Sequence, residues 1–340
     1  MAVQPGIVKT TARILSAERR ELLAIALRAT DKAHSPKSKF FVGAALLTDD
    51  GSVFTGGNIG NAETPVSICA ERAAVAKAVA AGKTEFKAMA IIARHEDRGT
   101  EEATAPCGLC RQVLSEFPLI YNRPLEVIYS STNGELVHFG DISALLPEAF
   151  SPFSLRKKEQ LLAYLSNPKI AQAPLGSKSI IKDLQIGKPG MLVLPEQLEG
   201  GEGEVLRQAL LAMKSSYAPY GKVWAGAALL GSDGNVYTGA LVENALSSAS
   251  ISAIRSAIAA AVSGGQKEFL MAAIVSGKEG AESQNIMPPG GLDLQALSQF
   301  LNLREKTPVL LATSAFDTVV KTEFAALLGM PLTLEHYKFA

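Results

Sequence analysis

Three cysteines in the sequence are spaced like metal ligands. Cys107 and Cys110 form a C-x-x-C pair, and Cys69 lies 38 residues upstream of Cys107. A C-x-x-C pair alone also occurs in redox proteins and in structural zinc sites. Three thiolates are one ligand short of a closed structural site, whereas a catalytic zinc has three protein ligands and an open position for water. An odd number of cysteines also argues against a disulfide framework. The trio therefore favours a catalytic zinc site.

A carboxylate accompanies the first cysteine, because Glu71 lies two residues after Cys69. Zinc lowers the pKa of water, and a nearby carboxylate can then accept and return protons. This combination suits the hydrolytic removal of an amino group from an amidine-like carbon. The pattern C-A-E followed by P-C-G-L-C, from Pro106 to Cys110, matches the zinc-deaminase signature. Cys69 and Cys107 each begin a predicted helix, where backbone N–H groups favour a thiolate.

The elements that position these residues occur twice in the chain. V-G-A-A-L-L at Val42 to Leu47 returns as A-G-A-A-L-L at Ala225 to Leu230. V-F-T-G at Val53 to Gly56 returns as V-Y-T-G at Val236 to Gly239. Both motifs recur 183 positions later, and this shift holds without gaps over about ninety residues. The sequence therefore contains an internal duplication.

Each copy predicts a helix, a β-hairpin with an Asp-Gly turn, an Ala-rich helix, a strand, a helix and a further strand. In the first copy the Ala-rich helix is predicted over Cys69 to Ala81 and the next strand over Ala88 to Ala93. Helices alternating with strands indicate an α/β class with a sheet covered on both faces, a three-layer α/β/α domain. We predict a catalytic domain over 1–150, a linker over 151–190 with a helix at Lys157 to Leu165, and a second domain over 191–340.

The motifs resemble those of a known enzyme family. C-A-E-R, from Cys69 to Arg72, together with P-C-G-L-C-R-Q, from Pro106 to Gln112, resembles nucleoside cytidine deaminases. The resemblance extends to F-V-G-A-A-L-L at Phe41 to Leu47 and covers nearly all of residues 20–150. It implies a duplicated cytidine-deaminase-like fold and the zinc-dependent conversion of cytidine and deoxycytidine to uridine and deoxyuridine in pyrimidine salvage.

The resemblance also implies roles for the residues at the metal. Cys69, Cys107 and Cys110 would bind one zinc per chain, and Glu71 would move protons from the attacking water to N3 and the leaving ammonia. Three thiolates give zinc a net negative charge, which weakens it as a Lewis acid. Arg72 would hydrogen-bond the sulfurs and offset that charge, although a solvated helix position is the alternative.

Four further residues are expected to contact the substrate by the same resemblance. Phe40 would pack against the pyrimidine, Asn58 would hold the ribose, and Ala70 would offer backbone contacts to the base. Phe150 resembles a phenylalanine that reaches the site of a neighbouring subunit. Phe40 as ordinary core and Phe150 packed locally are the alternatives. Gly60 departs from the family pattern N-x-E-N-A, because it replaces the glutamate that grips the 3′-hydroxyl.

The second copy has lost the chemical groups. The shift of 183 positions leaves no thiolate at the three cysteine positions, which are occupied by Ser252, Gly290 and Asp293. The position of Glu71 is occupied by Ile254, which cannot transfer a proton. We expect a silent half that acts as a folded partner, buries surface and can complete the live site. The chain thereby resembles two-domain deaminases, which form a homodimer that imitates a tetramer of single-domain chains. Its three-cysteine site, however, is typical of the short members, since two-domain members more often have histidine as first ligand.

The composition restricts the class of partner. Lys+Arg and Asp+Glu both number 33, so the formal charge is zero, and we expect a small-molecule nucleoside and no nucleic acid. No stretch reaches the ~18 apolar residues of a membrane span, so no membrane partner is expected, and Met1 to Leu15 lacks a signal-like apolar core. We predict a cytoplasmic protein. A deaminase of a modified nucleoside or nucleoside antibiotic, an RNA- or DNA-editing cytosine deaminase, and a non-catalytic scaffold are the alternatives.

Overall fold

The computed structural model describes residues 6–147, 149–151, 191–193, 197–199, 201–278, 286, 288–301, 306–316 and 319–327. Within these residues the chain forms two six-stranded mixed sheets with the same strand order. The helix predicted at Lys157 to Leu165 and nearly all of the predicted linker lie outside the described residues. The predicted domain boundaries remain a prediction.

The first sheet has the order β1-β6-β5-β4-β2-β3. Its strands are β1 (Ile7–Thr10), β2 (Phe40–Thr48), β3 (Val53–Gly57), β4 (Phe86–His95), β5 (Glu126–Ser130) and β6 (Val137–Asp141). β4 and β5 run parallel, and every other neighbouring pair in the sheet is antiparallel. The parallel pair needs a crossover, which contains the helix that carries two of the cysteines.

Helices cover both faces of this sheet. The helices of the first half are α1 (Ala17–Ala29), α2 (Ala70–Ala80), α3 (Gly108–Tyr121) and α4 (Ile142–Leu145). α1 packs Leu22 and Leu23 against one face of the sheet, in a core with Ile92. α2 and α3 pack against the other face, in a core with Met89 and Ile91. The period-two alternation along β4 supplies an apolar side chain to each face, which produces the predicted three layers.

The second half repeats the first. Its sheet has the order β7-β12-β11-β10-β8-β9. Its strands are β7 (Met191–Val193), β8 (Val223–Gly231), β9 (Val236–Ala240), β10 (Phe269–Lys278), β11 (Pro308–Thr313) and β12 (Val319–Glu323). Its helices are α5 (Glu202–Met213), α6 (Ala253–Gly264), α7 (Gly291–Ser298) and α8 (Phe324–Leu327). The bounds of β8, β9 and β10 are those of β2, β3 and β4 moved by 183 positions, so the duplicated α/β/α fold is confirmed.

The repeated motifs contain glycine because a helix lies directly against the strand. A Cβ atom on Gly43 of β2 would lie 2.0 Å from the carbonyl oxygen of Ala26 in α1. A Cβ atom on Gly56 of β3 would lie 2.1 Å from the carbonyl oxygen of Ala70, at the start of α2. No side chain fits at such distances. Because Gly56 has no side chain, the first turn of α2, which contains Glu71 and Arg72, lies close to the sheet.

The two halves exchange apolar side chains across an internal interface. Ile59, Val66 and Ile68 of the first half belong to the core cluster of the second half. Their counterparts in the second half, Val242, Ala249 and Ile251, belong to the core cluster of the first half. Each half thus completes the core of the other.

Polar contacts across this interface are also paired by the shift of 183 positions. Asn61 Nδ2 donates to the carbonyl oxygen of Gln295 at 3.4 Å, and Asn244 Nδ2 donates to that of Gln112 at 3.4 Å. α2 and α6 pack together between the two sheets. The halves are therefore related by a pseudo-two-fold axis, as two subunits of a symmetric dimer would be.

Among the described helices, none combines the length and the apolar character that crossing a membrane requires.

Candidate active site

Two helix N-termini bring the three cysteines together. Cys69 is the N-cap of α2, Cys107 is the N-cap of α3, and Cys110 lies in the first turn of α3. The side chain of Cys69 makes no capping hydrogen bond to a backbone N–H of α2. The Sγ atom of Cys107 lies 3.8 Å from that of Cys69 and 3.4 Å from that of Cys110. The positive ends of two helix dipoles therefore converge on a cluster of sulfur atoms.

This cluster fits a zinc ion. The three Sγ atoms lie within 4.8 Å of one another, and they form the one such group of potential metal ligands in the described part of the chain. Thiolate sulfur is a preferred zinc ligand, and three ligands leave a fourth position open. Hydrogen bonding with Cys110 and Cys69 lowers the pKa of Cys107. Backbone N–H groups of α3 act in the same direction, as a metal-binding thiolate requires.

The environment of Arg72 also fits a bound metal. Its side chain is buried, and Nη2 donates to the carbonyl oxygen of Ser67 at 2.8 Å. Its Nε atom is buried without a hydrogen-bond partner. In the second half, the counterpart Arg255 donates from Nε to the hydroxyl oxygen of Ser252, the residue at the Cys69 position. A corresponding bond from Arg72 to a thiolate at Cys69 remains a prediction.

Glu71 lies in the first turn of α2 and is 4% exposed. Burial raises the pKa of its carboxyl group to about 7. Glu71 and the sulfur atoms of Cys69 and Cys107 line the same cavity. A buried carboxyl group with this pKa can both accept and return a proton near neutral pH.

The cavity in front of the sulfurs has a volume of about 660 Å³, within the range of small-molecule sites. Asn58 and Ala70, both expected from the sequence, line it. The Asn58 amide accepts from Val42 N at 2.8 Å and donates to Phe40 O at 3.0 Å, so β2 fixes its orientation. One further N–H of this amide is left for a ligand.

The two expected phenylalanines lie away from this lining. Phe40 packs against His95 with the two rings tilted and their centroids 5.1 Å apart, and it lines an adjoining cavity. Thr104 belongs to both cavities, so Phe40 lies beyond the mouth of the first. Phe150 is 40% exposed, and its carbonyl oxygen accepts from Gln112 Nε2 at 2.6 Å. The contacts that these two residues make with substrate remain predictions.

The second half replaces the sulfur cluster with an ion pair. Ser252 caps α6, and its hydroxyl group makes a short hydrogen bond to Asp293, in the first turn of α7. Arg255 Nε lies 3.3 Å from the Asp293 carboxylate, and both side chains are largely buried. The two helix N-termini are thus joined by side chains alone, as expected for a half without zinc ligands.

Residues from the second half contact the loop that lines the cavity containing Glu71, which we call the live cavity. The sequence indicated that the second half can complete the live site, but it did not identify these residues. Gln299, just after α7, binds the carbonyl oxygen of Gly60 and the N–H of Ala62. Phe300 packs against His34 with ring centroids 5.0 Å apart. The shift of 183 positions, which aligns Gln299 with Glu116, is the one signal of this role in the sequence.

Family models agree with this site. Two models described as the cytidine and deoxycytidylate deaminase zinc-binding region match the chain, one over residues 16–122 and the other over residues 142–284. The first match contains all three cysteines and Glu71. The second begins near the end of the first half and extends through most of the second sheet.

Several known proteins are similar to parts of the chain. A cytidine deaminase of Sporosarcina psychrophila is 41% identical over 131 residues, which are 38% of this chain and 90% of the relative. Cytidine deaminase 6 of Arabidopsis thaliana is 29% identical over 248 residues, which are 71% of this chain and 75% of the relative. The crystal structure of a Burkholderia pseudomallei cytidine deaminase is 39% identical, covers 40% of this chain and 99% of its own, and has a TM-score of 0.35. The family-model matches and the sequence relatives, together with the sulfur cluster and Glu71, show that this chain belongs to the cytidine and deoxycytidylate deaminase family of zinc-dependent hydrolases.

Proposed function

We propose that this chain hydrolytically deaminates cytidine and deoxycytidine to uridine and deoxyuridine, as a step of pyrimidine salvage. The observation that carries the proposal is the buried Glu71 in a cavity that is also lined by Cys69 and Cys107, two members of the cysteine cluster. A cavity of about 660 Å³ accommodates a nucleoside. The name shared by the sequence relatives supports cytidine as the substrate class.

The chemistry divides between the metal and the protein. Zinc held by Cys69, Cys107 and Cys110 would supply a Lewis acid that makes water nucleophilic near neutral pH. Glu71 takes one proton from the attacking water and delivers it to N3 of the pyrimidine; it then takes the remaining proton of the added hydroxyl group and passes it to the amino group, which leaves as ammonia while the C4 carbonyl forms. Its burial removes competing bulk water from these transfers. Arg72 offsets the negative charge of the thiolates through its free Nε–H.

The cavity wall would orient the nucleoside. Backbone groups of Ala70, at the N-terminus of α2, face the base, and the remaining N–H of Asn58 faces the ribose. Phe40, which lines the adjoining cavity, would pack against the pyrimidine. Phe150 is exposed in the single chain, which suits a residue that enters the site of a second chain.

One assay tests this proposal directly. Purified protein is incubated with cytidine, deoxycytidine, free cytosine or CMP, and the loss of ultraviolet absorbance of the amino-pyrimidine is followed. We expect turnover of the two nucleosides only. Turnover of cytosine or CMP, with the nucleosides unchanged, would contradict the proposed substrate.

A modified nucleoside is the second candidate substrate, and Gly60 favours it. Gly60 lines the cavity where the family pattern has a glutamate. Glycine leaves the volume of the glutamate side chain unfilled at this position, and a substituent on the ligand could occupy that volume. Activity on cytidine analogues with enlarged 3′ groups, compared with cytidine itself, distinguishes the two candidates.

The proposal includes one zinc per chain, a homodimer and a cytoplasmic location. The ion pair at the second zinc position supports the zinc count. The pseudo-two-fold relation between the halves supports the dimer, since one chain already supplies two of the four cores of a tetramer-like assembly.

A further inference from the structure

The loop from Asn58 to Ala62 separates the live cavity from the silent half. Asn58, Ile59, Gly60 and Asn61 line the cavity on one side of the loop. The end of α7 and the residues just after it contact the other side. A displacement of this loop therefore changes the wall that faces a bound nucleoside.

Gln299 contacts the loop through both ends of its amide. Its Nε2 donates to the carbonyl oxygen of Gly60 at 2.7 Å, and its Oε1 accepts from the backbone N–H of Ala62 at 3.3 Å. One side chain thus satisfies a donor and an acceptor two residues apart, as a neighbouring strand would. We propose that Gln299 of the silent half is a positioning residue that holds the substrate-facing loop of the live site.

The pseudo-symmetric contact shows why an amide is needed here. Glu116 occupies the corresponding position in the first half, and it faces the loop of the silent half. Its carboxylate accepts from Tyr217 Oη at 3.2 Å, from Tyr220 Oη in a short contact, and from Ala245 N at 3.2 Å. All three partners are donors, which suits a carboxylate. Gln299 faces one donor and one acceptor, which only an amide matches.

Gly60 lacks the side-chain contact that its counterpart makes in the silent half. In the silent half the corresponding residue is Glu243, whose carboxylate accepts from the backbone N–H groups of Tyr220 and Gly221. That loop is therefore clamped to its own half. Gly60 has no side chain with which to make such a clamp, and glycine gives the backbone extra freedom. Backbone hydrogen bonds, such as that from Gly60 N to His34 O, hold the live loop to its own half, and Gln299 adds the side-chain contact that Gly60 cannot make.

The kinetic part of this inference rests on the proposed function, whereas the structural part does not. Gln299 is not itself a lining residue of the cavity and is not one of the clustered metal ligands; it contacts the back of Gly60, which does line the cavity. Its loss should weaken nucleoside binding without removing a group that transfers protons or binds zinc. A change in KM with kcat retained is the expected signature.

Two variants of the full chain test the role of Gln299. Gln299→Met keeps the length of the side chain and removes both hydrogen bonds, while Gln299→Glu keeps the acceptor for Ala62 N and removes the donor to Gly60 O. We expect KM for cytidine to rise about tenfold in both, from the lost hydrogen bonds. We expect kcat to stay within about twofold, because no transition-state contact is removed. Zinc per chain should be unchanged.

Glu116→Gln is the matched control, because it alters the same contact on the silent side. It should leave KM unchanged. Hydrogen–deuterium exchange of the segment 58–62, measured without substrate, should be faster in both Gln299 variants than in the wild type and in Glu116→Gln. This readout decides the role of Gln299 even where cytidine is not turned over. Unchanged exchange and KM in both Gln299 variants, or an equal rise of KM in Glu116→Gln, would overturn the inference.

Discussion

Burial gives the Glu71 carboxyl group its chemical use. The side chain lies in the first turn of α2, shielded from solvent and beside the cysteine sulfurs. The cost of ionising it there keeps its proton available near neutral pH. At the same scale, Arg72 retains a buried Nε–H for the sulfur at Cys69. We therefore assign proton transfer to Glu71 and compensation of the thiolate charge to Arg72.

Replacing Glu71 with glutamine tests the first assignment. Glutamine has nearly the same shape but cannot transfer the proton, so turnover of cytidine should fall by about 10²- to 10⁴-fold. Folding and zinc content should stay near wild type, because no ligand is lost. Steady-state kinetics, zinc analysis and a thermal melt measure these outcomes. Near-normal turnover with zinc retained would refute the proton-transfer role.

Gly60 leads to a prediction about the 3′-hydroxyl group. A hydroxyl without its charged acceptor loses a hydrogen bond of roughly 1.5–3 kcal/mol, or about tenfold to a hundredfold in binding. The ratio of kcat/KM for deoxycytidine to that for 2′,3′-dideoxycytidine should therefore be small, and Gly60→Glu should increase it. Glu63, three residues after Gly60, is a second carboxylate near the ribose-binding motif. Should the wild type already reject the 3′-deoxy compound by about a hundredfold or more, Asn58, with or without Glu63, must carry the recognition instead.

At the scale of elements, the same pair of helix N-termini is joined in two ways. In the first half α2 and α3 meet at the three sulfurs, and in the second α6 and α7 meet through Ser252, Asp293 and Arg255. Burial lowers the pKa of Arg255, and the nearby Arg72 acts in the same direction, so Asp293 supplies the compensating charge. The link in the second half therefore needs no metal.

Asp293→Asn tests this link. It leaves the buried Arg255 charge uncompensated and should lower the free energy of unfolding by about 2–3 kcal/mol, with zinc content and kcat retained. Urea denaturation measures the change. Glu18→Gln, which breaks the exposed pair with Lys87, is the control and should cost less than about 1 kcal/mol. Equal stability of the two variants would contradict the structural role of the ion pair.

The sequence predicts the long elements well and the short ones poorly. The helix expected over Cys69 to Ala81 is found at Ala70–Ala80, and the strand expected over Ala88 to Ala93 is found at Phe86–His95. β1 and β6 were not predicted, because each is short and their pairing joins Ile7 to Gly140 across most of the first half. No local pattern carries such a contact.

The sequence likewise predicts only some of the residues of the candidate site. The cysteines and Glu71 follow from spacing within one motif set. Gln299 lies more than two hundred positions from the loop that it contacts, and it meets that loop only across the interface between the halves. The contact of Glu116 with Ala245 N, on the other side of the pseudo-two-fold axis, is the counterpart of this contact.

For the whole molecule, the duplication turns one chain into a dimer of cores. Apolar side chains of each half complete the core of the other, and polar contacts repeat across the pseudo-two-fold axis. The silent half thus supplies a folded neighbour and a support for the live site. The cysteine cluster and Glu71 lie in the first half.

We expect two such chains to associate. Light scattering at micromolar concentration should give a mass of twice the 35.8 kDa chain. Phe150→Ala should lower kcat/KM for cytidine and leave the free energy of unfolding of the chain nearly unchanged, because this exposed residue is expected to enter the neighbouring site. A fully active monomer would remove the argument for the homodimer.

The division into one live and one silent half is tested most directly by counting zinc. Metal analysis of the pure, full-length protein should give one zinc per chain, because the described residues hold one cluster of three cysteine ligands. Cys107→Ser, which removes a ligand from that cluster, should reduce the zinc content to near zero and abolish turnover. Two zinc ions per chain in the wild type, or one ion retained in Cys107→Ser with full activity, would contradict the account.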